Sequence, residues 1–111
     1  MKHKVRITVV KRCLHTDLVE RFVPHMLDKA EACPMFKDGQ QFEIDVYPPS
    51  QPAGFCGWAW FDIQRALSQA TDGAQMDLPN SLPTCGDGFR PVVFHIEQLD
   101  EEAPYQDLPT T

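Results

Sequence analysis

Cys33, Cys56 and Cys85 each stand beside a proline or glycine at an expected element boundary, where backbone N–H groups lack helix or sheet partners. Such positions favour anionic sulfur, which can attack a small electrophile or oxidant, or bind a thiophilic metal ion such as zinc, iron or copper. As a metal set the three would need a fourth ligand, for which Cys13, His15 and His95 are the candidates. Separations of 23 and 29 residues match no zinc ribbon or finger, and the chain has no Cys-x-x-Cys pair. Cys56 is the sulfur expected to be most activated, because the segment opening at Gly54 reads as a helix whose first turn would contain it. The same thiols also suit a core, since free cysteine packs as a small hydrophobe.

Asp62, Asp87 and Arg90 lie within a few positions of these cysteines and complete the candidate catalytic set with Cys56. Asp87, in Gly-Asp-Gly, can bend back onto backbone N–H groups, and Arg90 can fork onto a carboxylate. The competing structural reading is an Asp62–Arg90 ion pair tying the helix to the last strand. Trp58 and Trp60 are the residues expected to wall a ligand site. His95 falls on the wet side of its strand, and no histidine pair has ligand spacing.

The elements that must hold these groups follow from hydrophobic periodicity. Residues 4–10 alternate with Val5, Ile7 and Val9 on one side; Phe42, Ile44 and Val46 do the same over 41–47; Val92, Phe94 and Ile96 repeat the pattern. These predict three strands, each apolar on one face. A helix is expected from Asp17, capped by Asp17 with Glu20, with Leu18, Phe22, Met26 and Ala30 at helical spacing and Pro24 imposing a kink or a division into two short helices between Asp17 and Glu31. A second helix runs from Gly54 or Cys56 to about Thr71. Its stripe is Cys56, Ala59, Trp60, Ile63, Leu67 and Ala70, which leaves Trp58 and Asp62 on another face. Residues 72–84 read as a long loop. The fold class is therefore α+β: one two-layer domain over residues 1–99, an antiparallel or mixed sheet with two helical segments on one face. An acidic tail, expected to be mobile, occupies 100–111.

The chain has 111 residues and a net charge of −6, with eight Lys/Arg against four acids in 1–37 and two against twelve in 38–111. Acidity on this scale argues against a nucleic-acid partner. No apolar run reaches membrane-spanning length and the N-terminus lacks a signal peptide's apolar region, which points to the cytoplasm and to reduced cysteines. Two open sheet edges and an exposed tryptophan point to a homo-oligomer.

Three segments carry a resemblance over residues 4–99: Cys33-Pro34-Met35-Phe36-Lys37-Asp38-Gly39-Gln40-Gln41-Phe42, Gly54-Phe55-Cys56-Gly57-Trp58-Ala59-Trp60-Phe61-Asp62-Ile63, and Cys85-Gly86-Asp87-Gly88-Phe89-Arg90-Pro91-Val92-Val93-Phe94-His95-Ile96. In these the chain resembles a family of short uncharacterised prokaryotic proteins. The resemblance groups Cys33, Cys56, Cys85, Trp58, Trp60, Asp62, Asp87 and Arg90 as motif residues. Two readings follow: thiol-centred binding of a metal or reaction with a small electrophile or oxidant, and a non-catalytic oligomerising or protein-binding module with structural cysteines.

Overall fold

The alternation at the N-terminus forms strand β1 (His3–Arg12), with Val5, Ile7 and Val9 fully buried, in a computed structural model that describes residues 1–77 and 81–107. β1 is the middle strand of a three-stranded antiparallel sheet, between β2 (Gln41–Ile44) and β3 (Val92–Glu102). Residues directly opposite one another share a face, so the register stacks the apolar alternation of all three strands: Ile7 lies between Phe42 and Ile96, and Val9 faces Phe94. On the other face Arg6 sits between Glu43 and Glu97, a half-exposed cluster that adds little stability.

An irregularity in β1 decides where Arg12 points. The register with β3 shifts between Val9 and Lys11, leaving Val10 as an extra, exposed residue. Strict alternation would send Arg12 to the wet face. The bulge sets it opposite the fully buried Val92 instead, on the core side.

That side is covered by α2 (Gly57–Asp62) and α3 (Gln64–Thr71), and α3 packs across both β1 and β3. The expected single helix is broken at Ile63, whose backbone (φ −92°, ψ 3°) leaves the helical region. The stripe survives the break: Ala59, Ile63, Leu67 and Ala70 are buried and Cys56 and Trp60 half-buried. α1 (Thr16–Phe22) is followed after Val23 by a 3-10 segment, Pro24–Lys29, the interruption Pro24 requires. The capping box does not form, because the helix starts one residue early with His15 as its cap. Nor do Leu18, Phe22, Met26 and Ala30 share a buried face. Val19 is the buried residue of α1, so the face turned to the core is not that of Leu18 and Phe22, and the 3-10 segment beyond the break at Val23 (φ −138°) buries none of its residues, leaving Met26 exposed.

Two stretches read as leaving the sheet are joined to it. In the 72–84 loop, Ser81 and Pro83 carbonyls accept N–H groups of Ile96 and Phe94, so this segment lines the outer edge of β3 as far as Cys85. The acidic segment does not depart at residue 100. β3 continues to Glu102, Ala103 is buried and donates to the Lys2 carbonyl, and Tyr105 packs edge-on against Tyr47 at 5.3 Å. Residues 78–80 of the loop and 108–111 of the tail lie outside the described residues. Among the described residues, no helix is long and apolar enough to cross a membrane.

Candidate functional site

Each thiol reaches the site from a different connection. Cys33 lies on the link from the 3-10 segment to β2, which is fastened at both ends to β1. Asp38-Gly39 makes the turn, with Gly39 at φ +80° donating its N–H to the Val9 carbonyl. Arg12, delivered to this side by the bulge, donates from Nη1 to the Cys33 carbonyl at 3.0 Å and from Nε to Asp38 Oδ1 at 3.1 Å. Cys56 is the cap of α2 rather than a member of its first turn. Its extended backbone (φ −63°, ψ 130°) lets its carbonyl accept the Trp60 N–H at 2.9 Å. Cys85 ends the segment beside β3, and its sulfur accepts the Val92 N–H at 3.3 Å while its own N–H donates back to the Val92 carbonyl.

The three cysteines line one cavity of about 730 Å³, together with Asp62, Asp87 and Arg90. Its apolar wall includes Met35, Phe36 and Trp58. This volume is in the range of small-molecule sites. Trp58 is 84% exposed and forms the rim. Trp60, expected as the second wall, turns instead to the core and packs edge-on against Phe55 at 5.6 Å. Cys13 and His15 are outside the lining; their N–H groups donate to Pro91 and Phe89 carbonyls and extend the β1–β3 pairing. His95 is on the opposite sheet face, 3.8 Å from Glu97.

The polar residues are held by local bonds, and the Asp62–Arg90 ion pair is not formed. Asp62 Oδ2 accepts the Gly86 N–H at 2.7 Å, tying the end of α2 to the turn after Cys85. Asp87 Oδ1 accepts the N–H groups of Phe89 and Arg90 at 3.0 and 3.1 Å, and Oδ2 accepts Arg90 Nε at 3.2 Å. Burial pushes the Asp87 carboxyl up, but the N–H groups of Arg90 and Phe89 and the Arg90 guanidinium outweigh it, holding the group below the ordinary carboxylate value. Asp87 is therefore a charged, fully committed acceptor at neutral pH rather than a proton donor.

The sequence reading missed Arg12, Phe36 and Met35. Phe36 had a signal, since it lies three residues after Cys33 and two before the Asp-Gly turn. Arg12 had only the paired apolar residues Val9-Val10, which mark the bulge. Among the described residues, no three His, Cys, Asp or Glu side chains are grouped closely enough to hold a metal ion. The three thiols share a cavity without converging on one point. Comparison with family models, curated proteins and solved structures finds no match to this chain. The fold and site thus define a small α+β domain with a thiol-lined cavity on its covered face.

Proposed function

We propose that the protein captures a small soft electrophile in this cavity, through a thiol acting singly rather than through a shared metal ion. The observation that carries the reading is the arrival of Cys33, Cys56 and Cys85 at one cavity from three connections. Cys85 is the best placed nucleophile, since the Val92 N–H aimed at its sulfur can hold charge developing there. In the reaction the thiol proton goes to solvent and a sulfur electron pair forms the S–C bond. The leaving group departs with the pair of the bond it breaks. Phe36, Met35 and Trp58 supply an apolar wall beside the thiols.

Cys13 is an internal reference: it is half-buried like the others but does not line the cavity. Treating the folded protein with limiting iodoacetamide and mapping the adducts by mass is expected to label Cys85 first. At least one cavity thiol should outpace Cys13 by roughly tenfold, the spread that local environment gives to thiols. Equal rates at all four positions would refute the reading.

A second reading keeps a specific observation. Trp58 and Phe61 are 84% and 78% exposed on the same short helix. Two neighbouring exposed aromatics suit a homo-oligomer or a protein partner. Under that reading the cysteines, three of which pack against the core cluster, are structural and react only when the protein opens.

A further inference from the structure

Resting on the thiol reading, we infer that the electrophile the cavity takes is anionic, with a carboxylate-like group seated on Arg90. Of the two acids in the cavity lining, Asp87 is committed to the protein, accepting two backbone N–H groups and Arg90 Nε, while Asp62 accepts the Gly86 N–H through Oδ2 alone and lies at the exposed side. Among the described residues, Arg90 is the one cation of that lining. Only Nε of its guanidinium has a protein acceptor among them, and the two terminal nitrogens have none. The carboxylate of Asp87 also receives the Arg90 backbone N–H, so the same residue is gripped at two points and its guanidinium is held in orientation. A guanidinium fixed at Nε, with four N–H bonds left over, presents the fork that a carboxylate accepts in bidentate fashion.

The remainder of the cavity sets the rest of the ligand. Phe36, Met35, Ala59 and Trp58 offer apolar contact, and the sulfurs lie around the same space. A small molecule with a flat or apolar body, one carboxylate and a soft electrophilic carbon meets each of these surfaces once. The carboxylate docks at Arg90, and the carbon is offered to Cys85 or Cys56.

Iodoacetate and iodoacetamide separate this inference from the reading it rests on, because they differ mainly in charge. With each reagent, labelling of the cavity thiols is divided by labelling of Cys13 in the same sample, which cancels the reagents' intrinsic reactivity. With iodoacetate the thiolate sulfur forms the S–CH₂ bond, iodide leaves with the C–I pair, and the carboxylate remains on the adduct. The ratio is expected to be roughly three- to tenfold higher for iodoacetate than for iodoacetamide at low salt, and to fall toward the iodoacetamide value as salt screens the half-exposed guanidinium. Arg90→Gln should remove the iodoacetate excess. Should that variant fail to fold, the salt series on the unaltered protein decides alone. Equal ratios for the two reagents at every salt concentration would overturn the anionic assignment while leaving the thiol reading intact. Cavity thiols no faster than Cys13 with either reagent would overturn both.

Discussion

Phe36→Ala is expected to lower the free energy of unfolding by about 3–5 kcal/mol, a large part of the ~5–15 kcal/mol available to a domain of this size. The side chain is 2% exposed although it sits in a connection rather than in a strand or helix. Its ring stands edge-on to Phe42 at 6.1 Å, to Phe55 at 5.1 Å and to Phe94 at 5.2 Å. One residue thereby joins β2, β3 and the approach to α2. Truncation removes all three edge contacts and leaves a void that rings fixed from two strands and a loop cannot close. Phe36 also lines the thiol cavity, so the variant should widen the site and admit water beside the sulfurs. Urea unfolding followed by tryptophan emission measures the first effect. A loss below about 1 kcal/mol would mean that the neighbouring rings collapse into the gap and that the connection carries no core.

Asp87→Ala is expected to cost about 1–2 kcal/mol, since charge-assisted bonds to two N–H groups and a guanidinium are lost from a side chain that is still 39% exposed. The pH dependence gives it a signature. The folded-state carboxyl lies below its ordinary value, so its contribution is complete above the unfolded value near ~4 and is lost as pH falls through the lower folded value. The urea midpoints of the variant and the original protein should therefore differ at pH 6 and approach one another near pH 3. A midpoint difference that persists unchanged at the acid end would contradict the charge-assisted origin of the stabilisation.

The sheet was legible in the sequence because a strand buried on one face must alternate, as Val5-Ile7-Val9, Phe42-Ile44 and Val92-Phe94-Ile96 do, although the alternation expected through Val46 outruns β2, which ends at Ile44. Pro24 was legible for the same local reason: a missing N–H has one effect wherever it stands. The thiol cavity was half legible. The boundary positions of Cys33, Cys56 and Cys85 could be read from prolines and glycines, whereas their arrival at one place depends on long-range contacts that leave no local trace. The turn at Asp87 is local and is anticipated from Gly-Asp-Gly; the carboxylate that pairs with Arg90 is Asp87 itself, three residues away, and not the Asp62 expected to tie the helix to the last strand.

Other features were hidden because they are made by backbone atoms. The pairing of 81–85 along β3 and the continuation of β3 through Glu102 use main-chain donors and acceptors, which any residue supplies, so Asp100-Glu101-Glu102 gave no apolar alternation to read. The bulge at Val10 shifts the phase of β1 by one residue and reverses the side on which Arg12 emerges. Trp60 and Trp58 could not be told apart as wall residues by type. The face of α2 decides it, and that face turns Trp60 toward Phe55 and Trp58 to the rim.

The most direct test of a cavity whose thiols react in the native state is the urea dependence of site-resolved iodoacetamide labelling, read below the unfolding transition. Thiols reached within the folded protein label at a rate that hardly changes with urea until the transition begins. Thiols reached only by global opening label at a rate that rises exponentially from zero urea, with the slope of the unfolding equilibrium. A flat response is expected at Cys85 and its cavity neighbours. A steep rise at Cys33, Cys56 and Cys85 alike, parallel to global unfolding, would contradict native-state reactivity and leave the cysteines as part of the core.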